Sequence, residues 1–218
     1  MVRLTRIYTR HGDGGDTHLG DMRRVRKTSV RVEAFGDVDE ANSAIGVALA
    51  QGVPAPWDAW LAQIQNDLFD LGADLCVPED ADVGATRLRV LPQQVTRLEG
   101  WCDAVNDGLE PLRSFILPGG HPAAAALHLA RAVCRRAERR VVALGDAEPI
   151  NPAAVTYLNR LSDLLFILGR AVNAGGQGDI LWLPGGGPEG SGSGSAGGGD
   201  ADPPDQQQDD HPGQDQPG

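Results

Sequence analysis

Apolar residues recur every three or four positions in five separate runs, the spacing that gives a helix one face for a core. The first run, about 31–51, stacks Phe35, Val38, Ala41, Ile45 and Ala48. The second, about 57–75, uses Trp57, Trp60, Leu61, Ile64, Leu68, Leu71 and Leu75. The third, about 92–109, opens at Pro92 and runs through Val95, Leu98, Cys102 and Val105. The fourth, about 122–144, opens at Pro122 and carries Ala126, Leu127, Ala130, Val133, Cys134, Ala137, Val141 and Leu144. The fifth, about 152–173, follows Asn151-Pro152, a capping residue and then proline at the first helical position; Gly175-Gly176 ends it. Strand-like alternation is nearly absent, and no internal repeat is visible. The pattern predicts an all-α fold, a five-helix bundle. Residues 1–30 follow neither period and predict an extended, glycine-rich N-terminal loop.

The pattern stops at Pro184. From there to Gly218 the chain is Gly, Ser, Pro, Asp and Gln with almost nothing apolar, a composition that cannot offset the entropy of ordering. The expected organisation is a helical-bundle domain over 1–183 and a disordered acidic tail over 184–218. No stretch approaches the roughly 20 apolar residues of a membrane span. No apolar run follows the Met1-Val2-Arg3-Leu4 start, as a signal peptide would require. Cys76, Cys102 and Cys134 are odd in number and sit in apolar helical patterns, which predicts buried thiols in a reducing compartment, the cytoplasm.

Net charge changes meaning once it is divided along the chain. The total of -11 includes seven acids and no Lys or Arg in 184–218, leaving 19 basic groups against 23 of the 30 acidic ones. Two basic islands remain: 1–31 holds eight basic residues against three acids, and Arg131–Arg140 packs five arginines around Glu138. Positive charge concentrated in two places on an acidic protein points to a small anion; nucleic acid favours a basic surface overall. Arginine supplies 18 of the 19 cations, and Lys27 is the one lysine, a compact ammonium among planar forks.

Thr9-Arg10-His11-Gly12-Asp13-Gly14-Gly15-Asp16-Thr17 sets three glycines within four positions, where backbone N–H groups can converge on an anion; an ordinary turn has the same composition. The run lacks the Gly-Lys-Ser/Thr ending of a Walker A loop. On the fourth helix Arg131, Arg135 and Arg139 fall at i, i+4 and i+8, with Arg136 and Arg140 on a second stripe. Stacked guanidiniums need anions, either acids from elsewhere in the protein or bound phosphates. In Tyr157-Leu158-Asn159-Arg160-Leu161-Ser162-Asp163, Asn159 and Asp163 interrupt a leucine-rich face, either to bond a neighbouring helix or to reach a nucleotide. Gly36–Ser43 places acids around the Phe35/Val38 stripe, with Asp39 a natural partner for a buried arginine. Ser114–Gly120 is apolar, which predicts a loop that is covered or lines a pocket.

In this order, Thr9-Arg10-x-Gly12-Asp13-x-Gly15-x-Thr17, Lys27, Gly36-x-Val38-Asp39-Glu40-x-Asn42, Phe115-x-x-Pro118-Gly119-Gly120, Arg131-x-x-x-Arg135-Arg136-x-Glu138-Arg139 and Leu158–Asp163 resemble the PduO-type ATP:cob(I)alamin adenosyltransferases over about residues 5–183. Ala41 stands where leucine is common, and the tail has no family counterpart. The resemblance implies a homotrimer of five-helix bundles with sites between subunits. It makes 1–30 a nucleotide-binding loop region, with Thr9, Arg10, His11, Gly12, Thr17, His18 and Lys27 around the ATP phosphates. Arg135, Arg136, Ala137, Glu138, Arg139 and Asn159 would complete that site from the facing subunit. Catalytic roles fall to Arg131, Arg135, Asp39 and Phe115, with Asp39 paired to Arg131 across the interface and Phe115 beneath the corrin. Mg²⁺ would accompany ATP, held mainly by phosphates, with Glu138 the candidate protein ligand.

The implied reaction moves the 5′-deoxyadenosyl group of ATP onto cob(I)alamin and releases triphosphate. A reductase that makes Co(I) and a cobalamin-dependent mutase that takes the product are the implied partners. Two other classes stay open: a carrier of finished adenosylcobalamin using the same pocket, and a nucleic-acid binder using the arginine helix. The acidic tail and the lack of surface aromatic platforms count against the second.

Overall fold

In a computed structural model, which describes residues 8, 10–82 and 87–186, five helices form where the apolar spacing places them. They are α1 (Val30–Ala50), α2 (Trp57–Cys76), α3 (Pro92–Asn106), α4 (Pro122–Ala147) and α5 (Pro152–Val172). Each start has a local cause. Ser29 caps α1 by accepting the N–H of Val32 at 3.4 Å, and Asn151 caps α5 by accepting that of Ala153 at 3.1 Å. His121 Nδ1 does the same for Ala123 at 3.2 Å, ahead of Pro122. Gln94 Oε1 reaches back to the N–H of Leu91 at 2.8 Å and closes the first turn of α3.

Helix α1 packs against α2 and α4, α4 against α5, and α5 against α3. The seam between them is Val38, Ala41 and Ile45 of α1, Leu61, Leu68 and Leu71 of α2, Leu127, Cys134 and Ala137 of α4, and Leu158, Leu161 and Leu165 of α5, all buried. Of the three cysteines expected to be buried, only Cys134 is; Cys76 and Cys102 are half-buried near helix ends or edges.

Several polar groups set inside this core satisfy one another, as burial favours. Asp67 accepts from Tyr157 Oη at 2.9 Å and Gln94 Nε2 at 3.1 Å and pairs with Arg97, joining α2 to α3 and α5. Asp74 accepts from Asn151 Nδ2 at 2.7 Å and the N–H of Val90 at 3.0 Å. Arg31 bonds the Leu75 carbonyl and pairs with Glu148 at 3.0 Å, so the start of α1, the end of α2 and the end of α4 meet at one end of the bundle.

Two small antiparallel sheets complete the fold, where the sequence pattern led us to expect loops. β1 (Asp16–His18) pairs with β2 (Arg24–Arg26), and β3 (Ile116–Leu117) pairs with β4 (Ile180–Leu181). Strands of two or three residues are too short to show a period of two. The chain divides into two units, Met1–Trp182 and Leu183–Gly218. Of the second, 183–186 form a turn closed by Gly186 N–H to the Leu183 carbonyl at 3.0 Å, and the rest of the expected tail lies outside the described residues.

Candidate active site

The two arginine stripes of α4 meet different surroundings. Arg136 is bonded by Glu40 and lies 3.5 Å from Asp37, and Arg140 lies 3.1 Å from Glu33 and 3.8 Å from Asp37, all on α1. Among the described residues no carboxylate comes within 4.0 Å of Arg131, Arg135 or Arg139. Arg131 is half-buried, with its guanidinium 6.0 Å from the centre of the Phe166 ring and its Nε buried without a partner. Burial, and then the neighbouring charge of Arg135, push its pKa below the usual guanidinium value. Arg135 is exposed, and Arg139 donates to its carbonyl one turn back at 3.1 Å.

Two adjoining grooves share Arg135. One, of about 500 Å³, is lined by Arg131, Ser162, Asp163, Phe166 and Arg170. The other, of about 400 Å³, is lined by Glu138, Arg139, Asp146 and Asn159. Asn159 donates to Glu138 Oε1 at 2.9 Å and accepts from Arg160 at 2.5 Å, so it bonds a neighbouring helix while facing a groove. Ala137 is fully buried on the core side of α4.

At the N-terminal hairpin, pairing again divides the cations. Arg24 and Arg26 each lie 3.0 Å from Asp16, and Arg23 is held by Asp21 and, at 2.7 Å, by Asp80. Arg10 and Lys27 have no carboxylate within 4.0 Å among the described residues. Arg10 adopts a left-handed φ of 63°, an unfavourable state for a side-chain-bearing residue. Lys27 is exposed and folds its ammonium onto Gly12, where a Cβ would stand 3.0 Å from Nζ; its own N–H donates to the Gly15 carbonyl at 2.9 Å. Thr17 is half-buried in β1, while His11 and His18 are exposed; Thr9 lies outside the described residues. Buried Leu19 and the bond from Gly20 N–H to the Cys76 carbonyl at 3.0 Å anchor the hairpin at the end of α2.

Asp39 is exposed and lines an apolar groove of about 310 Å³ with Phe35, Val38, Phe69 and Cys76. No ion pair joins it to Arg131 among the described residues of this chain; Asp37, Glu40 and Glu33 are the acids that answer α4. The i, i+4 spacing of Glu33 and Asp37 matches both arginine stripes alike, so the sequence carried no signal for which of them this pairing would choose. Phe115 is 77 % exposed and Leu117 44 %, so the apolar loop, expected to be covered or to line a pocket, is open in the single chain. That loop adjoins the start of α4, whereas the hairpin adjoins its end. A helix of 26 residues separates them by about 40 Å. Within one chain Arg131, Arg135, Arg139, Glu138 and Asn159 border the same two grooves, and among the described residues no side-chain hydrogen bond or ion pair joins them to Lys27, Asp39 or Phe115.

Known proteins match along nearly the whole bundle. A family model described as cobalamin adenosyltransferase matches residues 7–172. A corrinoid adenosyltransferase of Mycobacterium tuberculosis is 56% identical over 188 residues, 85% of this chain and 96% of that protein. A cobalamin adenosyltransferase of Cupriavidus metallidurans is 52% identical over 182 residues, 83% of this chain and 95% of that protein. Among solved structures, a variant PduO-type ATP:corrinoid adenosyltransferase from Lactobacillus reuteri, complexed with cobalamin and ATP, matches with a TM-score of 0.76 and 36% identity, covering 81% of this chain and 96% of that one.

Proposed function

The chain belongs to the cobalamin adenosyltransferase family, and on that premise we propose that it moves the 5′-deoxyadenosyl group of ATP onto cob(I)alamin. The observation that carries the reading is the row Arg131, Arg135 and Arg139, set beside two grooves with no carboxylate within 4.0 Å of it among the described residues. Transfer of an adenosyl group from ATP gives such a row an anion to answer. As the cobalt electron pair forms the Co–C5′ bond, the C5′–O5′ pair departs with triphosphate, a leaving group of about four negative charges that aimed guanidiniums stabilise. No proton moves in this displacement, so no general base is needed. Cys134, pushed upward by burial, is no competing nucleophile.

The chain's own work is positioning and charge. Lys27, Arg10, His11, His18, Thr9 and Thr17 with the Gly12 turn would hold the phosphates, and Arg135, Arg139 and Asn159 would close the site, with Glu138 orienting the Asn159 amide and Arg136 held back by Glu40 of α1. The residues fit a magnesium ion carried by the nucleotide. Among the described residues no group of three or more His, Cys, Asp or Glu converges, and Glu138 offers one carboxylate beside the arginines. When bound, Mg²⁺ would add positive charge at the departing phosphates.

Because no bond joins hairpin and arginine row among the described residues of one chain, the site would be shared between copies in a homotrimer, with Asp39 paired to Arg131 of the partner subunit. Phe115, an exposed ring, would lie beneath the corrin. Product held in the same pocket would pass to a cobalamin-dependent mutase, and a reductase would supply Co(I), in the cytoplasm. Residues 1–183 would be the catalytic domain and 184–218 a dispensable tail. Reduced cobalamin plus MgATP should yield the alkylcobalt spectrum and one equivalent of triphosphate. Binding of adenosylcobalamin without triphosphate release would favour the carrier, and affinity for oligonucleotides falling steeply with salt would favour the nucleic-acid binder.

A further inference from the structure

Phe115 is too exposed for burial to hold it. Its position comes from the strand that follows α5. Trp182 N–H donates to the Phe115 carbonyl at 2.8 Å, and Ser114 Oγ donates to the Trp182 carbonyl at 2.8 Å. The Trp182 ring stands edge-on to the phenyl, with centroids 5.9 Å apart.

The turn that delivers Trp182 is itself pinned by a buried ionic knot. Arg170 and Asp179, with side chains 7% and 2% exposed, pair at 3.1 Å. Arg170 also donates to the Glu110 carbonyl at 2.8 Å, ahead of the Phe115 loop. Asn173, likewise buried, donates at 3.2 Å both to Asp179 and to the Gly119 carbonyl, and accepts from His121 N–H at 2.9 Å, behind the loop. Gly120 has φ +89°, and a Cβ there would lie 2.4 Å from Asn173 Oδ1, so only glycine admits this grip. The knot holds the 110–121 segment at both ends while β4 holds its middle.

A buried ion pair is a poor device for stability alone, since both ions give up water and an apolar plug serves as well. Its directional bonds fix geometry instead. We propose that Arg170, Asn173 and Asp179, acting through Trp182, are positioning residues that hold Phe115 against the corrin. The inference rests on the adenosyltransferase reading and deepens it on the corrinoid side.

The test is steady-state kinetics on the full chain, with ATP and cobalamin varied separately, for Phe115→Ala, Trp182→Ala, Asp179→Asn and the doubles with Phe115→Ala. Each single variant should lose roughly tenfold to a hundredfold in turnover that starts from cob(II)alamin under a mild reductant. KM for ATP should stay within about twofold, and the loss should shrink when cob(I)alamin is supplied ready-made. In the Phe115→Ala background the second substitution should add less than about twofold, because its target is already gone. Doubles whose losses equal the product of the singles would overturn the proposal, as would a raised ATP KM or full turnover in Phe115→Ala. Should Asp179→Asn fail to fold, Trp182→Ala decides alone, since that side chain is part-exposed. A wild-type chain that makes no adenosylcobalamin from cob(I)alamin would sink the parent reading and this one together; loss confined to the variants would concern this one only.

Discussion

Helix α4 spaces five arginines over ten residues, and the protein treats them in two ways. Arg136 and Arg140 are answered within the chain by Glu33, Asp37 and Glu40 of α1. Arg131, Arg135 and Arg139, one step round the same helix, face grooves and have no carboxylate within 4.0 Å among the described residues. Residue type and helix are identical; what differs is the surface across the way. The N-terminal island repeats the lesson, with Arg23, Arg24 and Arg26 paired and Arg10 and Lys27 open. In the proposed reading function sits where the fold withholds the counter-charge, and a ligand or a second copy would supply it.

The sharpest way to break this comparison is to remove Arg131. If Asp39 of the partner subunit answers it in the proposed trimer, deleting one partner leaves a desolvated charge and costs about 3–5 kcal/mol. Arg131→Ala and Asp39→Ala should each dissociate the assembly in sedimentation runs and reduce turnover more than about a hundredfold. The exchanged pair Arg131→Asp with Asp39→Arg should regain part of both. Single variants that remain active trimers would show that this stripe is not answered in trans.

Arg135 should cost less in assembly and more selectively in chemistry. It is exposed and borders both grooves. Arg135→Ala should lower kcat by about 10²–10³, the loss of one donor aimed at developing charge. Its melting temperature should stay put, and Arg135→Lys should restore activity only in part, since an ammonium cannot replace the planar fork. A fall in melting temperature that accounts for the lost activity would move Arg135 to the structural side.

Most of the fold was legible because its signal is local. Apolar spacing, Asn151-Pro152 and Gly175-Gly176 set the bounds of α5 to within a residue. The two sheets were not, since β3 and β4 take two residues each from segments about 60 positions apart. At the site, the arginine row was legible as a stripe and its division was not. Whether Arg136 or Arg135 meets an acid depends on how α1 docks on α4, a tertiary fact with no local mark. Asp39 drew notice as an acid near an apolar stripe, yet Asp37 and Glu40, on either side of it, are the ones turned toward α4. Asp179 and Asn173 escaped for the same reason, since their partners lie at Arg170 and at 119–121.

The smallest expected effect is the control on which the comparison depends. Arg140 and Glu33 pair at 3.1 Å with side chains 50% and 40% exposed. An ion pair so open to water is screened and gives up side-chain entropy to form, so it contributes about 0–1 kcal/mol. Arg140→Ala should therefore shift the melting temperature by no more than about 2–4 °C. Both KM values and kcat should be unchanged, and the small stability loss should vanish in high salt. The substitution removes the same charge from the same helix as Arg135→Ala, five residues further along. If it slowed turnover comparably, net positive charge on α4 would be what matters, and the division between answered and unanswered arginines would carry no functional meaning.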